Sequence, residues 1–259
     1  MDRFFLFDIE TIRDEPIMSR FPTKTQSATI PPPIANQVVA ISYVAGCMED
    51  AGRSARISIE QCSSLGDALS SEAGLLEGFW DLVAATTPVL VTWNGRCFDV
   101  PVLLHRSLIS GISAQPWFGF GGINRYRNYG YRYGDRHIDL MDVMSDYGAV
   151  RSYGLDLIAE LLGLPGKIGG HGSEVAGMYA KGELSKIRAY CECDCLNLYG
   201  VFLHWSVLTG RIDRRGYVAS EAHFKDFLQQ ESFSKAHIKH FRDAWEDRVP
   251  IGGSLLVEA

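Results

Sequence analysis

Apolar residues fall into short runs and alternations in the first half of the chain and into helical periods in the second. The run Phe4-Phe5-Leu6-Phe7 predicts a buried strand, and it leads straight into Asp8-Ile9-Glu10-Thr11. Residues 12–36 read as a long loop, in which Pro31, Pro32 and Pro33 exclude regular structure. "VVAISYVA" (38–45) and the alternating "SARISIE" (54–60) predict two more strands, able to form a hairpin beside the first. The spacing of Leu75, Leu76, Phe79, Leu82 and Val83 predicts a helix over 72–86, and "PVLVTW" (88–93) a short buried strand. A helix over 100–110 follows, with Asp99 placed as its N-cap and Pro101 in its first turn. Residues 114–136, rich in glycine and aromatics, read as loop, and "HIDLMDVMSDYG" from 137 as a short strand running into a helix. Helices are expected at 153–163, 173–181 and 183–208, then two amphipathic helices and a glycine-containing tail.

This order predicts an α/β protein with a ribonuclease H-like fold. Its mixed central sheet of about five strands is flanked by helices, with extra helices at the C-terminus. The expected units are residues 1–209 for that domain and 210–259 for a helical extension packed on it. With 46% apolar and 22% charged residues, the composition is that of a soluble globular protein. No segment approaches the ~20 apolar residues of a membrane-spanning helix, so a cytoplasmic protein is expected. Six cysteines without the pattern of a disulfide framework suit a reducing compartment. A net charge of −6 argues against gripping nucleic acid by bulk charge, but leaves room for a local basic track and bound cations.

Three short pieces carry the chemistry. Asp8 and Glu10 are two apart on a strand, so they project from one face while Phe7 and Ile9 project from the other. Two carboxylates this close repel, unless one is protonated or a cation lies between them, and hard oxygen donors suit Mg²⁺ or Mn²⁺. A strand that simply leaves into solvent at residue 8 would look the same. The second piece is "WNGRCFDVPVL" (93–103), with a tight Asn94-Gly95 turn and Asp99 at a helix start. Helix capping explains an aspartate there but not the whole string. The third piece places Tyr190 and Asp194 four apart on one helical face, a spacing that a core tyrosine and a surface aspartate would also show.

In the order D-x-E, N-G-x-x-F-D, Y-x-x-x-D, these pieces resemble the DEDD superfamily of 3'-5' exonucleases, in its tyrosine-bearing (DEDDy) branch. The sister branch carries histidine where Ala189 stands. With the "IPPP" loop, "HIDLMDVM" and the "GGHGSEV" turn, the chain resembles the predicted exonuclease family related to the proofreading domain of bacterial family-B polymerases. The resemblance runs through about residue 208 and into the C-terminal helices, and the absence of a polymerase domain implies a free-standing nuclease. It implies catalytic roles for Asp8, Glu10, Asp99, Tyr190 and Asp194. Asp8, Glu10 and Asp194 would hold one divalent ion; Asp8 and, through water, Asp99 would hold a second. Two Mg²⁺ or Mn²⁺ ions would hydrolyse phosphodiesters at the 3' end of single-stranded DNA or RNA, DNA being favoured, while Tyr190 orients the attacking water. The alternatives are an exoribonuclease, or a catalytically silent nucleic-acid-binding module of the same fold.

Contacts to the strand are expected from Thr11, Asn94 and Phe98, for which turn formation and core packing are the alternatives. Residues 117–137 interleave Arg125, Arg127, Arg132 and Arg136 with Tyr126, Tyr129, Tyr131 and Tyr133, a composition suited to phosphates and bases. Arg125, Arg127, Tyr129 and Arg132 are the chosen candidates; Arg–Tyr stacking within the fold is the other reading. Asp139 and Asp142 are read either as supporting the site from behind or, equally, as ordinary polar residues at a strand end. In "KIGGHGS" (167–173), Ser173 is read as a helix cap rather than a phosphate contact. Cys191, Cys193 and Cys195 match no usual zinc spacing and read as small core and near-surface residues flanking Asp194.

Overall fold

The apolar run that opens the chain becomes β1 (Arg3–Arg13) in a computed structural model that describes residues 2–26, 31–50, 55–119, 128–168, 170 and 172–248. The strand does not stop where its apolar run ends. Its backbone ladder continues through the acids, with Asp8 opposite Ser42 and Glu10 opposite Ala40 of β2 (Asn36–Asp50). β3 (Ala55–Ser64) follows antiparallel to β2, while β4 (Val89–Thr92) and β5 (His137–Asp139) extend the other side in parallel. Among the described residues the sheet order is β3-β2-β1-β4-β5. It is a mixed sheet flanked by helices, of the ribonuclease H-like kind.

Strand alternation sorts β1 between two cores. Phe4 and Leu6 face one cluster; Phe5, Phe7 and Ile9 face the other, against α3 (Glu72–Thr86) and α4 (Asp99–Ser110). Residues 12–36 are less irregular than the prolines imply. Asp14 accepts from Ile17 N–H at 3.0 Å and starts α1 (Glu15–Met18), where Pro16 sits in the first turn and needs no donor. α2 (Thr23–Gln26) and a 3₁₀ turn at Pro33–Ala35 complete the segment. The region read as loop over 114–136 contains α5 (Gln115–Phe118), and α6 (Leu140–Met144) follows β5. α7 (Leu155–Leu161) is shorter than its apolar pattern, bounded by Gly154 as N-cap and by Gly163 at φ +80°. Ser173 is not a helix cap. It lies inside a 3₁₀ turn (Gly172–Glu174), and Glu174 is the N-cap residue of α8 (Val175–Ala180).

The long helix α9 (Leu184–Leu208) lies across β1, β2 and β3 and is buried over most of its length. α10 (Arg214–Glu231) and α11 (Ala236–Glu246) add Phe224, Phe227, Leu228, Ile238 and Phe241 to the core that contains Phe4 and Leu6. α10 also closes the exposed edge of β3: Ile57 N–H donates to Ser220 Oγ at 2.9 Å, and Ile57 O accepts from Tyr199 on α9 at 3.1 Å. Gly216 permits that approach, because a Cβ there would lie 2.0 Å from Ala55 O. No described helix is long and apolar enough to cross a membrane.

Candidate active site

On the face of β1 that carries Phe4 and Leu6, the next two side chains are Asp8 and Glu10, and α9 packs against that face. Apolar packing of Phe4 and Leu6 beneath α9 therefore forces the acids toward Tyr190, Cys191 and Asp194 on the same helix. The register of β1 and β2 shifts between Glu10 and Thr11, leaving Val39 as the extra residue of a bulge immediately beside Glu10. From the far side, the start of α4 delivers Asp99. Its carboxyl hydrogen-bonds the Asp8 carboxyl and accepts from Ile9 N–H. Asp99 is thus not the cap expected from its position. Phe98 occupies the N-cap position without a side-chain bond, and the Asp99 carboxyl is turned to Asp8. Asp194 in turn accepts from the Tyr190 hydroxyl. The three sequence pieces meet in one place.

The charge arrangement is strongly unfavourable as it stands. Burial, followed by repulsion from Asp99, Glu10 and Asp194, holds Asp8 well above the usual carboxylate range. Burial and the Asp194 and Asp99 charges push Glu10 up to about 8. Burial is also the main cause that raises Asp99 to about 7 and Asp194 to about 6, the Tyr190 hydrogen bond opposing the rise in Asp194. The Lys167 charge opposes the rise in Asp194. Tyr190 is raised by burial and by Asp194, so its hydroxyl stays protonated and acts as a donor. Asp99 is 3% exposed, and its Oδ1 is buried without a hydrogen-bond partner. An orphaned carboxylate oxygen and four mutually repelling acids fit hard divalent cations. One oxygen each of Asp8 and Glu10, and the sulfur of Cys191, lie within 4.8 Å of one another.

The loop that presents Asp99 is held from below. Buried Asp139 accepts from Asn94 N–H at 2.9 Å and from Arg96 N–H at 2.8 Å, using both carboxylate oxygens. Asn94 adopts φ +65°, a left-handed conformation that asparagine tolerates, and Gly95 sits so close to Thr92 that a Cβ would come within 2.4 Å of its Oγ1. His137, neutralised by burial and by the nearby Arg96, bonds Thr92 Oγ1 at 2.8 Å. Asp139 thereby organises the turn, while Asp142 pairs with Arg132.

The remaining sequence candidates separate. Thr11 Oγ1 donates to Asn36 at 3.4 Å beside Glu10, Asn94 lies in the turn just described, and half-buried Phe98 packs on the core under α3 and α4. Tyr129 is a core residue, contrary to its expected role. It is buried, donates its hydroxyl to Pro88 O at 2.7 Å ahead of β4 and stacks on Trp117, so no ring face remains for a base. Arg132 is bound in bidentate fashion to Asp142, with distances of 2.9 and 2.5 Å, because that pairing fixes the chain before β5. Arg125 and Arg127 lie outside the described residues. Cys191, Cys193 and Cys195 are all buried rather than partly at the surface. Cys191 alone of the three touches Asp8, with Sγ 3.4 Å from Asp8 O and 3.6 Å from Oδ2. No signal in the residue order marks that contact, which arises only when α9 crosses β1.

In solved structures, the fold is similar to a family B DNA polymerase from the hyperthermophilic archaeon Pyrobaculum calidifontis, at TM-score 0.50 and 18% identity. That match covers 80% of this chain and 25% of the polymerase, so the chain spans about a quarter of the larger protein. No curated protein matches the sequence. The family model for predicted 3'-5' exonucleases related to the exonuclease domain of PolB matches residues 31–245, which include Asp99, Tyr190 and Asp194; Asp8 and Glu10 lie ahead of the matched region. The chain belongs to that family of predicted 3'-5' exonucleases.

Proposed function

We propose that this protein is a metal-dependent exonuclease that removes nucleotides one at a time from the 3' end of single-stranded nucleic acid, DNA in preference to RNA. The observation that carries this reading is the convergence of Asp8, Glu10, Asp99 and Asp194 in one cluster, two of them buried and two half-buried, in which every carboxyl is raised. Asp8 feels the charge of each of the other three; it would touch both cations, Glu10 and Asp194 would hold one, and Asp99 the other. When bound, two divalent cations supply an activated water and stabilise the leaving oxygen at phosphorus.

The chain's own residues do the rest. Tyr190 is a donor at neutral pH, and its hydroxyl positions the attacking water beside Asp194 rather than removing a proton. Asn94 and Phe98 stand at the turn leading to Asp99 and would contact the terminal sugar and base, with Thr11, next to Glu10 in β1, as a further contact. Asp139 keeps that turn in register with Asp8. Lys167, 3.8 Å from Asp156 and near enough to lower Asp194, would add a positive charge on that side for an incoming phosphate. DNA is placed ahead of RNA because the family is related to PolB.

The test is incubation of 5'-labelled single-stranded DNA and RNA with the protein in Mn²⁺, Mg²⁺ or EDTA, beside an Asp8→Ala chain. The expected result is a ladder shortening from the 3' end, present with either metal and absent with EDTA or in the variant. Intact strands with wild type under every metal condition contradict the reading.

A further inference from the structure

Cys191 stands one residue after Tyr190, fully buried, with its sulfur against the acid cluster. Sγ lies 3.6 Å from Asp8 Oδ2, and it shares a sphere of 4.8 Å with single oxygens of Asp8 and Glu10. That separation has a second meaning beyond a weak S–H···O contact. Zinc–sulfur and zinc–oxygen bonds of about 2.3 and 2.1 Å, set at a tetrahedral angle, place sulfur and oxygen about 3.6 Å apart. Of the neighbouring cysteines on α9, Cys193 meets His237 O, while Cys195, one helical turn on, hydrogen-bonds the Cys191 thiol. Independently, the orphaned Oδ1 of Asp99 belongs to a carboxyl that already touches Asp8, so a further buried donor waits on the same cluster.

We propose that Cys191 is a ligand of the acid cluster and makes it selective for thiophilic divalent cations, zinc and cadmium, over magnesium. The proposal rests on the reading of Asp8 and Glu10 as a cation site. Magnesium takes oxygen donors and leaves the thiol aside, whereas zinc and cadmium accept sulfur. On binding, the Cys191 S–H bond breaks, its proton passes to water, and a sulfur–metal bond forms with no change of oxidation state. A cell's zinc would then compete with the ions that support cleavage.

The test uses the full chain, titrated with cadmium and read by the ultraviolet thiolate-to-cadmium charge-transfer band. Zinc affinity is measured in parallel by competition with a chromogenic chelator. The band is expected in wild type and in Cys97→Ser, which removes the exposed thiol, and is expected to vanish in Cys191→Ser. Zinc affinity in Cys191→Ser should fall about tenfold or more. Asp8→Asn keeps all six thiols, and the band should weaken there too. A band unchanged in either Cys191→Ser or Asp8→Asn, or no band in wild type, overturns the proposal. Metal-dependent cleavage without a Cys191-dependent band leaves the nuclease reading standing and removes this one; the band without cleavage does the reverse.

Discussion

Two buried clusters of charge sit on opposite faces of β1 and its neighbours, and they are built on opposite principles. Around Arg106, each acid has its counter-ion. The guanidinium binds Glu72 in bidentate fashion at 2.7 and 2.6 Å, meets Asp14 at 2.9 Å and donates to Ile34 O at 3.0 Å. Burial pulls Arg106 down, but its hydrogen bonds to Glu72 and Asp14 prevail and hold it above its ordinary value. The cluster joins α1, the 3₁₀ turn, α3 and α4, and it is complete. Around Asp8, by contrast, four acids face one another and every one is raised. The contrast recurs within a single turn of α9. Glu192, despite its burial, is lowered by His237 and Lys235, while Asp194 is raised. A fold that pairs Glu72 and Glu192 with bases leaves Asp8, Glu10, Asp99 and Asp194 raised, and the proposed cation site rests on that contrast.

Substitutions should separate the two clusters sharply. Asp99→Asn removes a ligand and a repelling charge together, so 3'-end cleavage should fall to background while the metal-free chain gains stability in urea unfolding. Loss of stability in that variant would place Asp99 among the structural charges. Arg106→Met strands Glu72 and Asp14 in the interior and should cost about 3–5 kcal/mol of stability. Cleavage per folded molecule should remain, and an undiminished unfolding midpoint would show the pairing to be idle.

Stability against pH gives a subtler contrast. The unfolded acids titrate near 4, whereas Asp194, Asp99 and Glu10 titrate at about 6, 7 and 8 in the fold. The folded chain therefore binds more protons between those values. The stability these groups lend is full below pH ~4 and is lost as pH rises through 6 to 8. A bound cation replaces the lost protons, so Mn²⁺ should raise Tm more at pH 8 than at pH 5; an equal rise at both would detach the metal from these acids. The smallest effect belongs to Tyr190→Phe, which deletes one hydrogen bond to Asp194 and should slow kcat about tenfold with little change in KM. A loss of several thousandfold would make Tyr190 the proton acceptor instead.

Much of this was visible in the residue order, and what was not has a physical reason. The strand under Phe4–Phe7, the face shared by Asp8 and Glu10, and the helix carrying Tyr190 and Asp194 follow from local periodicity. The continuation of β1 to Arg13 does not, because the ladder to β2 holds the strand where its own side chains suggest an exit. Asp99 looks like a cap because local chemistry favours one; only the approach of Asp8 across the sheet turns it inward. Tyr129 and Arg132 look like ligand contacts for the same reason in reverse. Their partners, Pro88 and Asp142, are set by tertiary placement, which composition cannot express. Cys191 was legible as a helix residue but not as a neighbour of Asp8.

The most direct test of the central claim is a Mn²⁺ titration of the purified chain at pH 7.5, following free Mn²⁺ by electron paramagnetic resonance, beside Asp8→Asn. Saturable binding by wild type, with Asp8→Asn losing it, is the predicted result. If wild type leaves Mn²⁺ free, or Asp8→Asn binds it equally well, the acids around Asp8 are not a cation site and the account fails.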